Sequence, residues 1–374
     1  ILDVLGMSGN VEGESLESRN RNVLKGFYSV FKAADSDLQF VLLTGVTKFS
    51  QVSVFSGFNQ PKDISMDRRY ETLCGITQEE LERYFAGPMA EMADDRGVSV
   101  GEMRDLLKRR YDGYHFSKKM TDVYNPFSLL NAFDQQDIRD YWFSTGTPTY
   151  LIHLLNHADE GLDELTGKYY DPAEFIDYKA TVEKPLPMIY QSGYLTIKAY
   201  DMRRETFLLD FPNDEVKKGF LTAVVGDYLN PRASVGGSVR DLTDALDAGD
   251  LDGFRGLMTS FLASIPYDMR RKTDERERER YFQYTFYLIL RLMSLYTVSV
   301  ERKSSQGRSD CVVETPEHVY IFEFKLDGTA ADALRQIEER GYARPYESDK
   351  RKVHKIGVNF SSETGTIDGW EVAE

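Results

Sequence analysis

Three ionisable residues near the C-terminus, Asp310, Glu323 and Lys325, lie in two apolar runs that flank the turn-forming residues 315–318. Alternating apolar residues on both sides of a turn predict an antiparallel β-hairpin. If the turn is centred within residues 315–318, Asp310 lies directly opposite Glu323. The spacing therefore predicts that two carboxylates and a lysine converge on one face of the hairpin.

The alternation of the second strand determines which side chains share that face. Glu323 and Lys325 point the same way, while Phe322 and Phe324 point into the core. Two opposed carboxylates repel each other unless a cation lies between them, and their hard oxygen ligands favour Mg²⁺ or Mn²⁺ over zinc. A lysine beside such a metal suits phosphate chemistry. The alternative is a solvated face with a surface ion pair, worth roughly 0 to 1 kcal/mol.

The surroundings of the acidic pair favour the metal-binding interpretation. Asp310 occupies the opposed position, Gly307 and Arg308 precede it, and the second strand is strongly apolar. This combination resembles the PD-(D/E)xK nuclease superfamily. The resemblance implies that Asp310, Glu323 and the backbone carbonyl of Phe324 hold one or two divalent cations, which polarise the scissile phosphate and acidify water. It also implies that Arg308 contacts the substrate backbone.

The same resemblance gives roles to residues around the hairpin. Lys325 would orient the water and offset developing charge. Glu279, in a predicted long helix, would add an outer metal ligand, although Glu275 lies one turn earlier on the same face. Gln336 would touch the substrate backbone, as in the Gln-x-x-x-Tyr element of RecB-like nucleases, but Tyr342 follows it by six residues and not by four.

The predicted elements follow the order of such a nuclease core. After the long helix and the hairpin come a predicted helix over residues 330–342 and a strand over residues 353–360. The helix residues predicted to face the sheet are Ala330, Ala333, Leu334 and Ile337. The result is a restriction-endonuclease-like αβββαβ order.

Composition and charge limit the possible functions. The 374 residues are 41% hydrophobic, enough for two or three domains with real cores. The net charge of −15 argues against a whole surface made for nucleic acid, but residues 268–374 carry 18 Lys and Arg against 20 Asp and Glu, a net of −2. Seven basic residues there could form a local phosphate-binding surface. They are Arg302, Lys303, Arg308, Lys350, Arg351, Lys352 and Lys355. A solvated loop explains the last run, Lys350, Arg351, Lys352 and Lys355, equally well.

The chain shows no membrane or redox signature. No apolar run approaches the roughly 20 residues needed to cross a bilayer, and the first residues lack a signal pattern, so we expect a cytoplasmic protein. Cys74 and Cys311 lack CxxC spacing and are expected to be reduced thiols. His153 and His157 are spaced i, i+4, but no third ligand lies near them, so a metal site there is not favoured.

The N-terminal part has the pattern of an α/β sheet. A helix is predicted over residues 19–31, and the apolar run over residues 38–46 predicts a buried parallel strand that delivers Thr44 to a sheet edge. Several stretches resemble an AAA-ATPase-like family that is often fused to such nucleases, in which Thr44 would be the nucleotide sensor. These stretches are residues 40–50, 56–59, 63–65, 111–116, 123–128 and 141–148.

The sequence contains no ATP-hydrolysing elements. There is no Gly-x-x-x-x-Gly-Lys-Ser/Thr, and no apolar strand ends in Asp-Glu. Because the chain starts at Ile1 without Met, we expect a fragment that begins after the acidic strand, so that ATP is bound only by the full-length protein. The alternative is a natural lineage that lost the loop. Any oligomer is expected to form through the ATPase part.

The middle of the chain predicts helices and then a hairpin. Thr77 followed by Glu80 has the pattern of a capping box, at the start of small lid-type helices. Gly113 marks a structural turn. Residues 186–211 alternate like a hairpin of a winged-helix unit, which has too few clustered basic residues to favour DNA binding over a spacer role.

The predicted fold class is α/β, with four parts. They are a truncated AAA-type α/β remnant, a helical lid region, a winged-helix-like unit with a glycine-containing connector, and the nuclease-like domain, over residues 1–75, 76–185, 186–267 and 268–374.

The sequence thus predicts a Mg²⁺- or Mn²⁺-dependent nuclease whose partner is nucleic acid, with DNA as the expected substrate, coupled in the full-length protein to an AAA-type ATPase. The alternative is a non-catalytic, ATP-regulated interaction or nucleic-acid-binding protein without metal affinity. The joint presence of Asp310, Glu323 and Lys325 argues against it, because a decayed site would be free to lose one of them. A DNA-binding regulator would need a basic face on the helical middle, which the sequence does not show.

Overall fold

The structure is a computed structural model with two compact units, Ile1–Gly219 and Phe220–Glu374. It describes residues 10–11, 14–45, 62–144, 165–176, 185–229, 235–265, 275–293, 299–301 and 311–373. Within these residues no helix is long and apolar enough to cross a membrane. The four-part division of the chain stays a prediction. Some residues singled out in the sequence lie outside the described residues, namely His153, His157, Arg302 and Lys303.

The first described elements are β1 (Asn10–Val11), β2 (Glu14–Ser15), α1 (Leu16–Ala33) and a 3-10 turn (Asp35–Asp37). Helix α1 confirms the predicted helix. The predicted buried strand is wrong in its described part, because residues 38–45 form no strand and Phe40 is 79% exposed. A buried strand needs a neighbour to satisfy its backbone groups, and no strand in the described residues pairs with this segment.

Short helices around an apolar core fill residues 76–144, and their assignment as a lid region stays a prediction. The capping box is confirmed, since Thr77 Oγ1 accepts the Glu80 N–H at 3.2 Å and the Glu80 carboxylate accepts the Thr77 N–H at 2.9 Å. Leu81, Met103 and Leu107 are fully buried in this core. The elements are β3 (Ile76–Thr77), α2 (Gln78–Tyr84), α3 (Ala86–Asp95), α4 (Val100–Tyr111), β4 (Val123–Tyr124), α5 (Pro126–Gln135) and α6 (Tyr141–Ser144).

The turn at Gly113 is structural, as predicted. Gly113 has a φ of +94°, and a Cβ there would lie 2.4 Å from the carbonyl oxygen of Pro212. The hydroxyl groups of Tyr111 and Tyr114 donate to backbone carbonyls at 2.8 Å and 3.1 Å. These tyrosines therefore hold turns of the first unit in place.

The first unit ends with a three-stranded antiparallel sheet of order β5-β7-β6. Strands β6 and β7 confirm the predicted hairpin, and its winged-helix interpretation stays a prediction. The elements are β5 (Lys168–Tyr170), α7 (Pro172–Phe175), α8 (Leu186–Gln191), β6 (Thr196–Asp201), β7 (Thr206–Asp210) and α9 (Asp214–Leu229), which continues into the second unit.

The second unit is built on a five-stranded mixed sheet of order β12-β11-β10-β9-β8. Strands β10 and β11 are parallel, and the other neighbours are antiparallel. The elements are α10 (Val235–Asp247), α11 (Leu251–Ala263), α12 (Glu275–Met293), β8 (Ser299–Glu301), β9 (Cys311–Glu314), β10 (His318–Leu326), α13 (Ala330–Arg340), a 3-10 turn (Arg344–Tyr346), β11 (Lys352–Phe360) and β12 (Ile367–Ala373). From α12 to β11 this is the predicted αβββαβ order, and the sheet fits a restriction-endonuclease-like core. Strand β12 is an additional edge strand that was not predicted from the sequence.

Helices cover both faces of this sheet. On one face the ring of Phe286, from α12, lies 5.3 Å from Phe322 and 4.7 Å from Phe324 between centroids. On the other face Ile337, from α13, packs with Ile321. The predicted core-facing side of β10 is therefore confirmed.

Candidate active site

The β9–β10 hairpin has the predicted register. A backbone hydrogen bond of 2.9 Å joins the two ends of the turn, and the described ladder ends with Phe322 opposite Cys311. One further step in the same register pairs Glu323 with Asp310, which lies outside the described residues. The register is confirmed as far as the structure describes it, and the opposition of the two carboxylates stays a prediction.

Helix α13 places Gln336 between Glu323 and Lys325. Gln336 Nε2 donates to Glu323 Oε1, and Gln336 Oε1 accepts from Lys325 Nζ at 2.7 Å. Glu323 is 2% exposed, and a buried carboxylate is stable only when it is hydrogen-bonded or paired. The structure thus joins three of the predicted site residues in one polar network.

The helix can reach these residues because a glycine lies beneath it. Gly357 is the β11 partner of Glu323, and a Cβ there would lie 2.1 Å from the carbonyl oxygen of Ala330 and 2.8 Å from the nitrogen of Leu334. The backbone of α13 therefore rests directly on the backbone of β11. Gly357 was not among the predicted site residues, although a glycine inside a strand is a known signal of close backbone approach.

Tyr342 has a packing role. Helix α13 ends at Arg340, earlier than predicted, because Gly341 takes the left-handed conformation with a φ of +65°. Tyr342 lies beyond the helix, is 4% exposed and packs in the apolar cluster that contains Ile337 and Val319. The altered spacing from Gln336 thus coincides with a tyrosine that belongs to the core.

Two residues of the basic run around the start of β11, Arg351 and Lys355, are engaged in ion pairs. Arg351 lies 2.6 Å from Asp349 and 2.8 Å from Glu314, and Lys355 lies 2.5 Å from Glu338. Hydrogen bonds from Arg351 lower the pKa of Asp349 to about 2. These contacts favour the solvated-loop interpretation of this run over a phosphate-binding surface.

The remaining predicted site residues stay predictions. Glu279 and Glu275 both belong to helix α12, as expected, but their side chains are not among those described. Thr44 is exposed in an irregular segment, and nothing in that segment tests a sensor role. Arg308 lies outside the described residues.

The donor chemistry of the site fits a hard divalent cation. Glu323 supplies a carboxylate and Phe324 a neighbouring backbone carbonyl, and oxygen ligands suit Mg²⁺ or Mn²⁺. Within the described part of the chain, no group of three His, Cys, Asp or Glu side chains could hold a metal ion. The other predicted ligands, Asp310 and the Glu279 side chain, are not among the described groups, so the ligand set stays a prediction.

Comparisons with known proteins agree with this architecture. Residues 277–370, which contain most of α12 and most of the sheet, match the PD-(D/E)XK nuclease superfamily, and the C-terminal domain belongs to it. Residues 6–55 match a predicted AAA-ATPase family and form an AAA-ATPase-like region.

The chain is also similar to a protein of Azotobacter chroococcum mcd 1 described as "Uncharacterized protein in vnfD 5'region". The two are 36% identical over 356 residues, which are 94% of this chain. The chain spans 66% of the length of that relative. No solved structure matches.

Proposed function

We propose that this protein is a metal-dependent nuclease that hydrolyses phosphodiester bonds in DNA. The observation that carries the proposal is the network in which Gln336 joins the buried carboxylate of Glu323 to the ammonium group of Lys325. These residues lie within residues 277–370, the segment that matches the PD-(D/E)XK nuclease superfamily. The confirmed register of the hairpin supports the placement of Asp310 beside them.

Each residue of the site has a chemical task in this proposal. The residues that would hold the metal are Asp310, Glu323, the backbone carbonyl of Phe324 and, as an outer ligand, Glu279. When bound, Mg²⁺ or Mn²⁺ supplies Lewis acidity toward the phosphate and lowers the pKa of water. Lys325 orients the attacking water and offsets the negative charge that develops on the phosphate. Gln336 holds Lys325 in place, and Arg308 contacts the substrate backbone.

Cleavage is further proposed to be coupled to an AAA-type ATPase, in which Thr44 senses the bound nucleotide. The match of residues 6–55 to a predicted AAA-ATPase family supports this coupling. Its test compares DNA cleavage by the full-length protein, with and without ATP, before and after Thr44→Ala. If ATP changes the rate of DNA cleavage and Thr44→Ala removes this change, the coupling is supported. If ATP does not change the rate of cleavage, the coupling is contradicted.

The decisive experiment for the nuclease is Mg²⁺- or Mn²⁺-dependent cleavage of DNA by wild type, Lys325→Ala and Asp310→Ala. Both variants are expected to lose cleavage and to keep the fold. Arg240→Ala is the matched control, because it removes an exposed basic residue of the same unit outside the proposed site and is expected to cleave like wild type. Equal cleavage by all four proteins would refute the proposal. Absence of both cleavage and Mn²⁺ binding by calorimetry would favour the non-catalytic alternative.

A further inference from the structure

A buried asparagine fixes the turn between Lys325 and helix α13. Asn359, on β11, is 4% exposed and is the register partner of Lys325. Its Oδ1 accepts the N–H of Gly328 at 2.8 Å, and its Nδ2 donates to Asp368 Oδ1, on β12, at 2.6 Å. One side chain thus joins the turn to two neighbouring strands.

Two further hydrogen bonds hold the same turn. The N–H of Asp327 donates to the carbonyl of Phe360 at 2.9 Å, and Asp327 Oδ1 accepts the N–H of Ser362 at 2.8 Å. Asp327 has a φ of +52°, a conformation that residues other than glycine adopt infrequently. A Cβ on Gly328 would lie 3.2 Å from the Cβ of Lys325. The turn therefore follows a tight path that its neighbours determine.

The position of this turn sets the position of Gln336. Helix α13 starts at Ala330, and Gln336 lies six residues further, about 9 Å along the helix axis at 1.5 Å per residue. A small tilt at the start of the helix therefore displaces Gln336 by a larger amount. Because its bond to Lys325 is 2.7 Å long, a displacement of about 1 Å takes it beyond hydrogen-bonding distance.

We propose that Asn359 is a positioning residue of the nuclease site. It holds the 327–329 turn, and through it helix α13, so that Gln336 meets Lys325 and Glu323 together. The proposal rests on the proposed nuclease function for its catalytic consequence. Asparagine suits this position because it must accept from one partner and donate to another.

The test exchanges the polarity of the Asn359–Asp368 contact. Asn359→Asp keeps an acceptor for the N–H of Gly328 but sets a carboxylate against Asp368, so kcat for DNA cleavage is expected to fall about 10- to 100-fold, with KM unchanged. Asp368→Asn alone keeps an acceptor for Asn359 and is the matched control, expected to match wild type. The double variant restores a donor opposite the new carboxylate and is expected to recover kcat to within about threefold of wild type, because such paired changes are non-additive.

Two outcomes would overturn the proposal. One is wild-type kcat in Asn359→Asp, and the other is a double variant as impaired as Asn359→Asp. If Asn359→Asp does not fold, as judged by its melting temperature, Asp368→Ala removes the acceptor from an exposed position. It is then expected to lower kcat in the same direction, and wild-type kcat would overturn the proposal.

A second readout separates this proposal from the nuclease function. The ¹⁵N resonance of the Gln336 side-chain amide, recorded without metal or substrate, is expected to shift in Asn359→Asp and to return in the double variant. If wild type shows no cleavage, the nuclease function fails, yet this resonance still reports whether Asn359 positions Gln336. An unshifted resonance in Asn359→Asp would overturn the positioning role.

Discussion

Gln336 donates its side-chain N–H to the carboxylate of Glu323, while Oε1 of the same amide accepts a hydrogen bond from the Lys325 ammonium group at 2.7 Å. The orientation of the amide follows from chemistry, because only its nitrogen can donate to a carboxylate and only its oxygen can accept from an ammonium group. The amide thus links a carboxylate and an ammonium group without adding a charge of its own.

Two substitutions of Gln336 therefore distinguish the loss of its hydrogen bonds from the addition of a negative charge. Gln336→Glu keeps an acceptor for Lys325 but places a second carboxylate against Glu323, and Gln336→Ala leaves both groups without this partner. We expect each variant to lower kcat about 10- to 100-fold, measured by steady-state cleavage of DNA at saturating Mg²⁺. Gln336→Glu should also bind Mn²⁺ more tightly than Gln336→Ala by calorimetry, since it adds an anionic oxygen ligand. Unchanged kcat in Gln336→Ala would show that the amide is dispensable.

Gly357 should tolerate no side chain. A Cβ at this position would lie 2.1 Å from a backbone oxygen of α13, and backbone cannot move aside as a flexible side chain can. Gly357→Ala is therefore expected to lower the free energy of unfolding of the second unit by about 1–3 kcal/mol or more, as overpacking does, and to reduce cleavage by lifting Gln336 from Glu323. Denaturant unfolding followed by far-UV circular dichroism measures the first effect. A variant as stable as wild type would contradict the close approach.

Gly256 offers the matched control and a prediction of opposite sign. It lies inside helix α11 with nothing within 4 Å of its Cβ position. Gly256→Ala is expected to stabilise the same unit by about 0.5–1 kcal/mol, because alanine loses less backbone entropy in a helix. The same denaturation experiment measures it, with cleavage unchanged. If Gly357→Ala and Gly256→Ala changed the free energy of unfolding equally, the close contact between Gly357 and α13 would not be the cause of the change.

The sequence could predict what depends on local pattern. Alternation along β10 separated Phe322 from Glu323, and the turn chemistry fixed the register that now ends at Cys311. Gly357 and Asn359 were missed because their importance arises from α13 and β12, which approach them only in the folded sheet. Periodicity within one segment carries no information about such contacts.

The prediction of a strand over residues 38–46 was wrong in its described part, residues 38–45, for a related reason. Its apolar run satisfies the pattern of a buried strand, but a strand also needs a hydrogen-bonding neighbour, which a single segment cannot supply. In the described residues Phe40 and Leu42 are exposed instead. The apolar pattern gives the tendency of a segment to form a strand, but whether a strand forms depends on a neighbouring strand to pair with.

Glu71 should make the first unit sensitive to acid. Glu71 is 3% exposed. Its carboxylate accepts hydrogen bonds from the hydroxyl groups of Ser117 and Thr121, and Lys119 Nζ lies 3.0 Å from it. Burial opposes ionisation, but the hydrogen bonds from these residues outweigh it and hold the pKa of Glu71 below its ordinary value of 4.5. The stability that Glu71 contributes is therefore present above pH 4.5 and is lost as the pH falls through the folded-state pKa.

Hydrogen exchange of residues 114–124 measures this contribution. At pH 7, Glu71→Gln is expected to speed exchange about 5- to 150-fold, the equivalent of about 1–3 kcal/mol. The ratio of variant to wild-type rates should shrink as the pH falls below 4.5, because wild type then loses the same charge. Exchange equally fast in both proteins at pH 7 would exclude Glu71 as an anchor of this loop.

The ion pairs of Arg351 predict that it contributes little to substrate binding. Its guanidinium group is paired with the carboxylates of Asp349 and Glu314, so its positive charge is already balanced and little of it is left to attract a phosphate. Arg351→Gln should leave the salt dependence of DNA affinity unchanged, whereas Arg308→Gln should reduce the slope of log K against log salt by about 1, the value for one phosphate contact. Fluorescence anisotropy with a labelled duplex in Ca²⁺, between low and moderate salt, measures both slopes. A slope that falls by about 1 in Arg351→Gln would show that DNA displaces the acidic partners and would restore the basic run as a phosphate-binding surface.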